Sequence, residues 1–433
     1  MRKAKRVAKL TALSLSLLIA VLQFYSIPEY FYRDELSATP LEEDSLPVID
    51  ITAQSYSSTS QINRTPASND SHEKPIFKVN PPSIENKNLN LTVLYEESTD
   101  VFNLLPDRYL PDYKSFCWFD DLEQFQCLAS VYLAGMPKCG TTDLFEKLMW
   151  HPELTLQNHS HDRSLDKEFH YWTRKRIGRP ANFLLNPRIP FPKMDFRTFL
   201  AGTGAANVKI NKDLRIVDGT PSLLWDLGGW ETRYAGFREP PYSNGDLIHS
   251  VTPDAKILAI LRNPIDRLYS EYLYVWHMVK MRDEIRNPKT FHLDVMRETR
   301  KFDRCLEKQS LRYCCYSSDH SMRLRVALGV YVCYIKDFLE AFGSNLLVLT
   351  TNEYQSNPVV TLNKIFDHIG VYKLDSEFLK RKIESTETFN EGSSVRKVVG
   401  EMLNETRQLL EKFYTPYNAM LDSLLRDSKF RFL

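Results

Sequence analysis

The stretch "VYLAGMPKCGTTDLFEKL", residues 131–148, decides the fold class, because it joins a strand-like apolar run to a helix through a glycine-bounded turn. "VYLAG" has the length of a buried strand, and "TTDLFEKL" has helical spacing. The first amide groups of a helix lack partners inside the helix and lie at the positive end of its dipole. The sequence therefore predicts that this turn binds an anion.

The residue types of the turn support an anion site. Gly135 and Gly140 allow the backbone to approach a ligand closely, Lys138 adds a mobile positive charge, and Thr141 and Thr142 add hydroxyl groups. The lysine precedes the second glycine, so the pattern is not G-x-x-x-x-G-K-[ST], and a nucleotide kinase or NTPase loop is disfavoured. A turn that merely caps a helix is the alternative interpretation.

Two further apolar runs predict more strands of the same sheet. "AKILAILR" (255–262) and "NLLVLTT" (345–351) are each followed by a helical segment, "PIDRLYSEYLYVWHMV" and "NPVVTLNKIFDHIGV". Strands that are apolar throughout and alternate with helices are typical of a parallel sheet covered on both faces. We therefore expect one α/β domain over residues 113–433, with a P-loop-like parallel sheet flanked by helices.

The second strand-to-helix junction, "LAILRNPIDRLYSEY", carries another candidate for anion binding. Arg262 lies at the end of the strand, Pro264 suits the first helical turn, and Ser270 lies further along the helix. The guanidinium fork of arginine can donate two hydrogen bonds to one phosphate. For Arg267 we prefer an ion pair with Glu271, four residues later, over a role in binding.

The N-terminal quarter has the composition of a membrane anchor and a stem. Residues 1–9 carry five lysines and arginines, and residues 10–27 contain no charge, which predicts a cytosolic tail followed by a transmembrane signal anchor. The positive-inside rule then places the remainder in a lumen or outside the cell. Residues 28–112 are rich in Ser, Thr, Asn, Pro and Glu, and we expect a disordered luminal stem.

Sequons and cysteines agree with a luminal location. The cysteine pattern favours a local pair, Cys117 with Cys127, and a second group of four, with Cys139 left unpaired. Near a helix N-terminus the Cys139 thiol could have a lowered pKa, but we prefer the interpretation that it is a small residue that fits the turn. The second group is Cys305, Cys314, Cys315 and Cys333, and the five sequons are at Asn63, Asn69, Asn90, Asn158 and Asn404.

The overall charge disfavours nucleic acid as a partner. Lys and Arg total 56 and Asp and Glu total 55, so an anionic partner must bind a local patch. Residues 163–215 form such a patch, with twelve basic and four acidic residues. This favours an anionic polysaccharide, although a solvated basic face is the competing interpretation. No metal-binding motif such as H-E-x-x-H or paired C-x-x-C is present.

"GMPKCGTT" after a strand, with "LRNPIDRLYSEY" about 120 residues later, resembles the donor-binding segments of Golgi carbohydrate sulfotransferases. These enzymes use 3′-phosphoadenosine 5′-phosphosulfate (PAPS). Within the family, "WTRKR", "EPPY", "DLIHS" and "RLYSEYLY" are similar to the enzymes that sulfate the 6-hydroxyl of N-acetylgalactosamine 4-sulfate. By this resemblance the loop binds the 5′-phosphosulfate through Lys138, Cys139, Gly140, Thr141 and Thr142, and the 3′-phosphate contacts Arg262 and Ser270. The segment "SSVRKVV" resembles the loop that closes over PAPS, through Arg396 and Lys397.

The acceptor side also follows from the resemblance. In "LDKEFHYWTRKR" a Lys-Glu-x-His segment like that of glycosaminoglycan sulfotransferases implies Glu168 as the catalytic base, with His170 beside it. In "VDGTPSLLWD" Asp218 stands for a more usual glutamate and Gly219 for a frequent lysine. Acceptor-binding candidates are Lys167, Arg174, Lys175, Arg176, Asp218 and Thr220, with Arg179 completing the basic run.

The resemblance implies a single-pass type II Golgi membrane enzyme with a luminal catalytic domain and no metal. Its expected reaction transfers a sulfuryl group from PAPS to a glycosaminoglycan hydroxyl, most specifically the 6-hydroxyl of N-acetylgalactosamine 4-sulfate in chondroitin or dermatan sulfate. Two alternatives remain open. One is a sulfotransferase for another glycan, such as heparan sulfate. The other is a catalytically silent, membrane-tethered glycan-binding protein, which the presence of Lys138, Glu168, Arg262 and Ser270 disfavours.

Overall fold

A five-stranded parallel sheet forms the centre of the molecule in a computed structural model, which describes residues 89–156, 167–178, 193–279, 287–317, 324–386 and 396–432. The strand order is β4-β5-β3-β6-β7, and every neighbouring pair is parallel. A separate antiparallel hairpin, β1–β2, precedes the sheet. The strands are β1 (Phe116–Phe119), β2 (Phe125–Leu128), β3 (Val131–Gly135), β4 (Leu154–Leu156), β5 (Arg215–Asp218), β6 (Lys256–Leu261) and β7 (Leu346–Thr350).

Fifteen α-helices of the described ranges connect these strands and pack around them. Short 3₁₀ segments occur at Val326–Gly329, Gly343–Asn345 and Ser428–Arg431, and one π-helix spans Tyr171–Lys175. The α-helices are α1 (Leu91–Glu97), α2 (Thr99–Phe102), α3 (Thr141–Leu148), α4 (Phe196–Leu200), α5 (Ala205–Ile210), α6 (Trp230–Arg233), α7 (Asn244–Val251), α8 (Pro264–Val279), α9 (Pro288–Leu306), α10 (Leu311–Tyr316), α11 (Tyr331–Phe342), α12 (Thr351–Ser356), α13 (Pro358–Ile369), α14 (Ser376–Ser385) and α15 (Asn404–Leu425).

The central strands β3 and β6 are buried along nearly their whole length, as their continuous apolar sequences predict. Parallel strands end at the same edge of a sheet, so the loops after β3, β5 and β6 emerge side by side. Ligands of open α/β sheets bind outside this carboxyl edge. The fold therefore brings together residues from three segments that are far apart in the sequence.

The predicted parallel α/β sheet and its main elements are confirmed. The strand predicted before the anion loop is β3, the helix after it is α3, and the helix predicted over residues 264–279 is α8 with the same bounds. The runs at 255–262 and 345–351 are β6 and β7. Strand β4, only three residues long, was not predicted.

The prediction that residues 28–112 form a stem is wrong for residues 89–112. Helices α1 and α2 pack into the core, where Leu94 and Val101 are fully buried. The amide of Asn90 donates to the carbonyl of Pro241 at 2.6 Å, and its carboxamide caps α1 by accepting from Val93 N. The folded unit therefore begins earlier than the predicted boundary at 113. The rest of the predicted stem lies outside the described residues.

Two disulfides link cysteines of the predicted pair and the predicted group. Cys117 is bonded to Cys127 across the β1–β2 hairpin, and Cys305 is bonded to Cys314 between α9 and α10. The Sγ atoms of Cys315 and Cys333, the other two members of the group, lie 2.7 Å apart without a bond.

The predicted tail (residues 1–9) and signal anchor (residues 10–27) lie outside the described residues. Within the ranges that the structure describes, no helix has both the length and the hydropathy needed to cross a membrane.

Candidate active site

The anion loop leaves β3 and enters α3 as predicted. Gly140 has φ 90°, a left-handed conformation that favours glycine, and a Cβ added there would meet no atom within 4 Å. The loop is therefore open to a ligand beside the first turn of α3. Lys138 also has positive φ (66°), and its Nζ lies 3.7 Å from the ring centroid of Tyr274 on α8.

Hydrogen bonds from neighbouring strands hold the loop in shape. The amide of Met136 donates to Ile260 O at 2.9 Å, and the hydroxyl of Thr351 donates to Cys139 O at 2.8 Å. The amide of Cys139 donates back to Met136 O, and its side chain is fully buried. Cys139 is therefore a structural residue of the loop, and its assignment as an anion contact is wrong.

Burial also decides the chemical state of the Cys139 thiol. It raises the thiol pKa to about 11, although Arg267 and Arg262 act in the opposite direction. The alternative of a lowered pKa is therefore wrong, and the interpretation of Cys139 as a small residue that fits is confirmed.

The second candidate anion site lies at the end of β6 and on α8. The hydroxyl of Tyr331 donates to the carbonyl of Arg262 at 2.8 Å and thus fixes the strand end. Within the described ranges, the guanidinium group of Arg262 and the hydroxyl of Ser270 make no hydrogen bond, so both remain available. The predicted ion pair of Arg267 with Glu271 is confirmed, with Nη1 and Oε2 2.8 Å apart.

The C-terminal segment predicted to close over the donor lies against α8. The guanidinium group of Arg396 is 5.5 Å from the ring centroid of Tyr269, and the hydroxyl of Tyr269 donates to Gly400 O. Lys397 is exposed to solvent.

Glu168 lies between a lysine and a histidine and reaches solvent with 34% of its side chain. Lys167 Nζ donates to Glu168 Oε1 at 3.0 Å, and His170 Nε2 is 3.4 Å from Glu168 Oε2. The same lysine donates to Thr142 Oγ1 at 3.1 Å and to Thr141 Oγ1 at 3.5 Å. Lys167 therefore connects the carboxylate to the anion loop. Its role as an acceptor contact stays a prediction, because its Nζ contacts both the loop threonines and Glu168.

These neighbours determine the charge of Glu168. Burial alone would raise its pKa, but the hydrogen bond to His170 and the charge of Lys167 outweigh this effect and lower the pKa to about 2. Glu168 is therefore ionised at neutral pH, and the same neighbours make its carboxylate a weaker base than that of an exposed glutamate.

A polar network beneath Glu168 fixes the histidine. His170 has φ 54°, its amide donates to Thr220 Oγ1 at 3.2 Å, and its Nδ1 lies 3.0 Å from Ser222 Oγ. Asp218 Oδ1 accepts from the amide of Thr220 at 2.9 Å. Asp218 and Thr220 are both buried, and their role as acceptor-lining residues stays a prediction. They position His170.

The basic run after His170 divides into two groups. Arg174 and Lys175 are partly exposed, with Arg174 paired to Asp226 at 2.7 Å and Lys175 Nζ 4.6 Å from the ring centroid of Phe169. Arg176 is buried and donates to Glu97 O, Ser98 Oγ and Tyr242 OH. Its assignment as an acceptor contact is therefore wrong, and Arg179 lies outside the described residues.

Gly219 stands where the enzymes that the sequence resembles often have lysine, and the packing around it explains the small residue. A Cβ at Gly219 would lie 2.6 Å from Phe145 Cδ2 and 2.8 Å from Lys167 Cγ. The ring of Phe145 and the aliphatic chain of Lys167 therefore fill the space beside residue 219. The amino group of Lys167 lies further on, at the loop threonines.

Three residues of the site were not predicted. Tyr274 contacts Lys138, Ser222 contacts His170, and Tyr331 holds the carbonyl of Arg262. Only Tyr274 had a signal in the sequence, because it follows Ser270 by one helical turn on the same helix. Within the described parts of the chain, no cluster of three His, Cys, Asp or Glu side chains could hold a metal ion.

We predict that Lys167→Met raises the pKa of Glu168 from about 2 towards its usual value of 4.5, because the charge and hydrogen bond that stabilise the carboxylate are lost. A titration of ¹³C-labelled glutamate side chains by NMR measures this. The matched control is Lys212→Met, an exposed lysine paired with Asp112. A Glu168 titration identical in wild type and Lys167→Met would refute the role of the lysine.

Because the folded-state pKa of Glu168 is lowered, its contribution to stability is present above pH about 4.5 and is lost as the pH falls towards 2. In Lys167→Met the raised pKa of Glu168 should move the acidic end of this pH range upwards, so that its contribution to stability is lost at a higher pH.

Comparisons with known proteins agree with the family resemblance. Residues 246–407 match the sulfotransferase domain family. The chain is 28% identical over 406 residues to human carbohydrate sulfotransferase 15 and 29% identical over 407 residues to the mouse protein. Each match covers 79% of this chain and 69% of the relative. A solved sulfotransferase from Alicyclobacillus acidocaldarius shows 19% identity and a TM-score of 0.45, covering 70% of this chain and 99% of that one.

Proposed function

We propose that this chain, a carbohydrate O-sulfotransferase, transfers a sulfuryl group from PAPS to a glycosaminoglycan hydroxyl, specifically the 6-hydroxyl of N-acetylgalactosamine 4-sulfate in chondroitin or dermatan sulfate. One observation carries the proposal. Lys167 Nζ contacts both Thr142 of the anion loop, at 3.1 Å, and Glu168, at 3.0 Å. A phosphosulfate in the loop and a hydroxyl at Glu168 would therefore be neighbours.

The donor would be held at its two phosphate ends. The open loop amides at the start of α3, with Lys138, suit the 5′-phosphosulfate, because helix N-termini and lysine both stabilise anions. Arg262 and Ser270 suit the 3′-phosphate, and their polar groups are unused in the described structure. Arg396 and Lys397 would cover the donor, and the packing of their segment against Tyr269 of α8 supports this role.

The reaction then needs three contributions from the protein. The acceptor oxygen forms a bond to sulfur while its proton moves to the carboxylate of Glu168. The bond between sulfur and the 5′-phosphate oxygen breaks, and that oxygen keeps the electron pair. Lys138 stabilises the charge that develops on the phosphate. His170, fixed by Ser222, holds Glu168 in place.

The acceptor is assigned from the charge beside Glu168 and from the relatives. Arg174 and Lys175 follow His170 directly and are partly exposed, so an anionic chain at Glu168 would meet two positive charges. The named relatives are carbohydrate sulfotransferases. Together these features favour a sulfated glycosaminoglycan over a small neutral sugar.

A Golgi membrane location with a luminal catalytic domain fits this proposal. The disulfides Cys117–Cys127 and Cys305–Cys314 support an oxidising compartment. Residues 10–27 would supply the anchor.

An acceptor panel tests the choice of glycan. Initial rates with PAPS are compared for chondroitin 4-sulfate, unsulfated chondroitin, dermatan sulfate and heparan sulfate. We expect the highest kcat/KM for the 4-sulfated galactosamine chains. A clear preference for heparan sulfate would move the enzyme to the alternative acceptor class.

We predict that Arg262→Ala weakens the binding of adenosine 3′,5′-bisphosphate (PAP), the desulfated product, by about 10- to 100-fold, as loss of a hydrogen bond from a charged group implies. Isothermal titration calorimetry measures the affinity. Arg197→Ala is the matched control, because this arginine is half exposed and its nearest carboxylate oxygen, on Asp120, is 3.9 Å away. Equal PAP affinity in Arg262→Ala and wild type would contradict the 3′-phosphate assignment.

A further inference from the structure

A group of hydrogen-bond donors surrounds the indole ring of Trp225, which is linked to Glu168 through Ser222 and His170. The guanidinium carbon of Arg325 lies 4.9 Å from the ring centroid, and that of Arg174 lies 5.9 Å from it. Both distances are within the range of cation–π contacts. Arg174 lies in the π-helix Tyr171–Lys175, whereas Arg325 directly precedes the 3₁₀ turn Val326–Gly329. We call these three residues the Trp225 cluster.

The Trp225 cluster is attached to the residues that hold His170. The amide of Trp225 donates to Ser222 O at 3.2 Å, and Ser222 Oγ contacts His170 Nδ1. The amide of Arg174 donates to His170 O at 3.1 Å. The cluster is therefore part of the wall against which the acceptor sugar at Glu168 would lie.

A carboxylate holds one edge of each guanidinium group. Arg174 Nε donates to Asp226 Oδ2 at 2.7 Å, and Arg325 donates through Nε and Nη2 to Glu271 Oε1. Their side chains remain 24% and 21% exposed. A guanidinium group fixed in this way is oriented in advance, so it loses little entropy when its remaining donors bind a ligand.

Several donors of the cluster are unused within the described ranges. Both Nη groups of Arg174 and Nη1 of Arg325 make no hydrogen bond there. The indole Nε1 of Trp225 is buried and also has no acceptor in that part of the chain. A buried donor without an acceptor costs free energy, so these unused donors indicate a ligand with several oxygen atoms.

The charge balance favours an anion. Glu271 is shared between Arg325 and the fully buried Arg267, so one carboxylate faces two guanidinium groups. Within the described residues, Arg267 and Arg325 therefore carry one positive charge in excess of Glu271. This excess charge lies in a partly buried position, where it is screened less than on the surface.

We propose that Trp225, Arg174 and Arg325 form the subsite that binds the sulfate ester already present on the acceptor sugar. The guanidinium groups and the indole N–H donate to sulfate oxygens, and Ser222 and His170 link this group to the carboxylate that receives the hydroxyl proton. The subsite makes a prior sulfate a condition for efficient transfer. This inference rests on the proposed function and adds Arg325 and Trp225 to it.

The test uses substitutions that preserve the fold. Arg325→Lys retains the charge facing Glu271 but loses the fork, and Trp225→Phe retains the ring but loses the N–H. For each variant of the full chain, KM is measured with chondroitin 4-sulfate and with unsulfated chondroitin. We expect KM for the 4-sulfated chain to rise about tenfold in Arg325→Lys, in line with loss of one hydrogen bond from a charged group, the one that Nη1 would donate. KM for the unsulfated chain and the affinity for PAP should not change.

The matched control is Arg297→Lys, since Arg297 on α9 is half exposed and pairs only with carboxylates of its own helix in the described structure. Equal KM values in wild type, Arg325→Lys and Trp225→Phe would overturn the inference, given unchanged PAP affinity and thermal unfolding. An equal rise for both chains would also overturn it, because the subsite would then bind the uronate or the polymer. If wild type transfers sulfate to no glycan, the proposed function itself fails, and the two failures are thus distinguishable.

Discussion

Glu168→Gln is expected to lower kcat by about 10³-fold, within the range for loss of a general base. Glutamine keeps the shape of the side chain and can still accept from Lys167, but its amide cannot take the acceptor proton. The wild-type carboxylate is ionised at neutral pH because His170 and Lys167 lower its pKa to about 2. Steady-state rates with saturating PAPS and acceptor measure the loss.

The control for this prediction is Glu377→Gln, an exposed glutamate on α14 paired with Lys380. It should retain wild-type kcat. PAP affinity should persist in Glu168→Gln, because the carboxylate itself does not contact the loop. A Glu168→Gln enzyme with wild-type kcat across the pH range would remove Glu168 from the role of base.

Lys138→Ala is expected to lower kcat by about 100-fold or more, as loss of one preorganised donor to a developing negative charge does in other enzymes. Lys138 is the mobile charge of the loop, and its Nζ rests 3.7 Å from the ring centroid of Tyr274, an aromatic face that it can leave for an anion. Alanine takes the same positive φ as the lysine it replaces, so no new backbone strain is expected.

Single-turnover measurements separate this effect from slow product release. Lys380→Ala, at an exposed position on α14, is the matched control. Near-normal transfer by a folded Lys138→Ala protein would show that the leaving phosphate is stabilised elsewhere.

The sequence predicted β3, β6 and β7 because each of these strands is apolar and bounded by turn residues. Periodicity also located α8 with its observed bounds. Periodicity did not predict helices α1 and α2, which have only seven and four residues. Helices this short depend on tertiary contacts, such as the hydrogen bond from Asn90 to Pro241, that local sequence does not reveal.

The anion-binding candidates were easier to predict than the acceptor residues. Lys138 and Arg262 occur at strand-to-helix junctions, where the fold itself dictates exposure, and Ser270 lies further along α8. Around Arg174 the chain forms a π-helix, which changes the direction of successive side chains. Arg174 therefore faces Trp225, whereas Arg176 is buried, although both belong to one basic run.

Long-range partners could not be predicted at all. Arg325 reaches the acceptor side because Glu271, 54 residues earlier in the chain, fixes its guanidinium group. Lys167 reaches the anion loop because Gly219 leaves space for its aliphatic side chain. Both arrangements arise only when the carboxyl ends of β3, β5 and β6 meet at one edge.

The most direct test of the central claim is the position of the transferred sulfate. The full-length protein is incubated with ³⁵S-labelled PAPS and chondroitin 4-sulfate, the chain is digested to disaccharides, and the labelled disaccharides are separated. We predict that the label appears in the 4,6-disulfated disaccharide and is absent when Glu168→Gln replaces the wild type. Label on the uronate, or no label from an enzyme that binds PAP, would contradict the account.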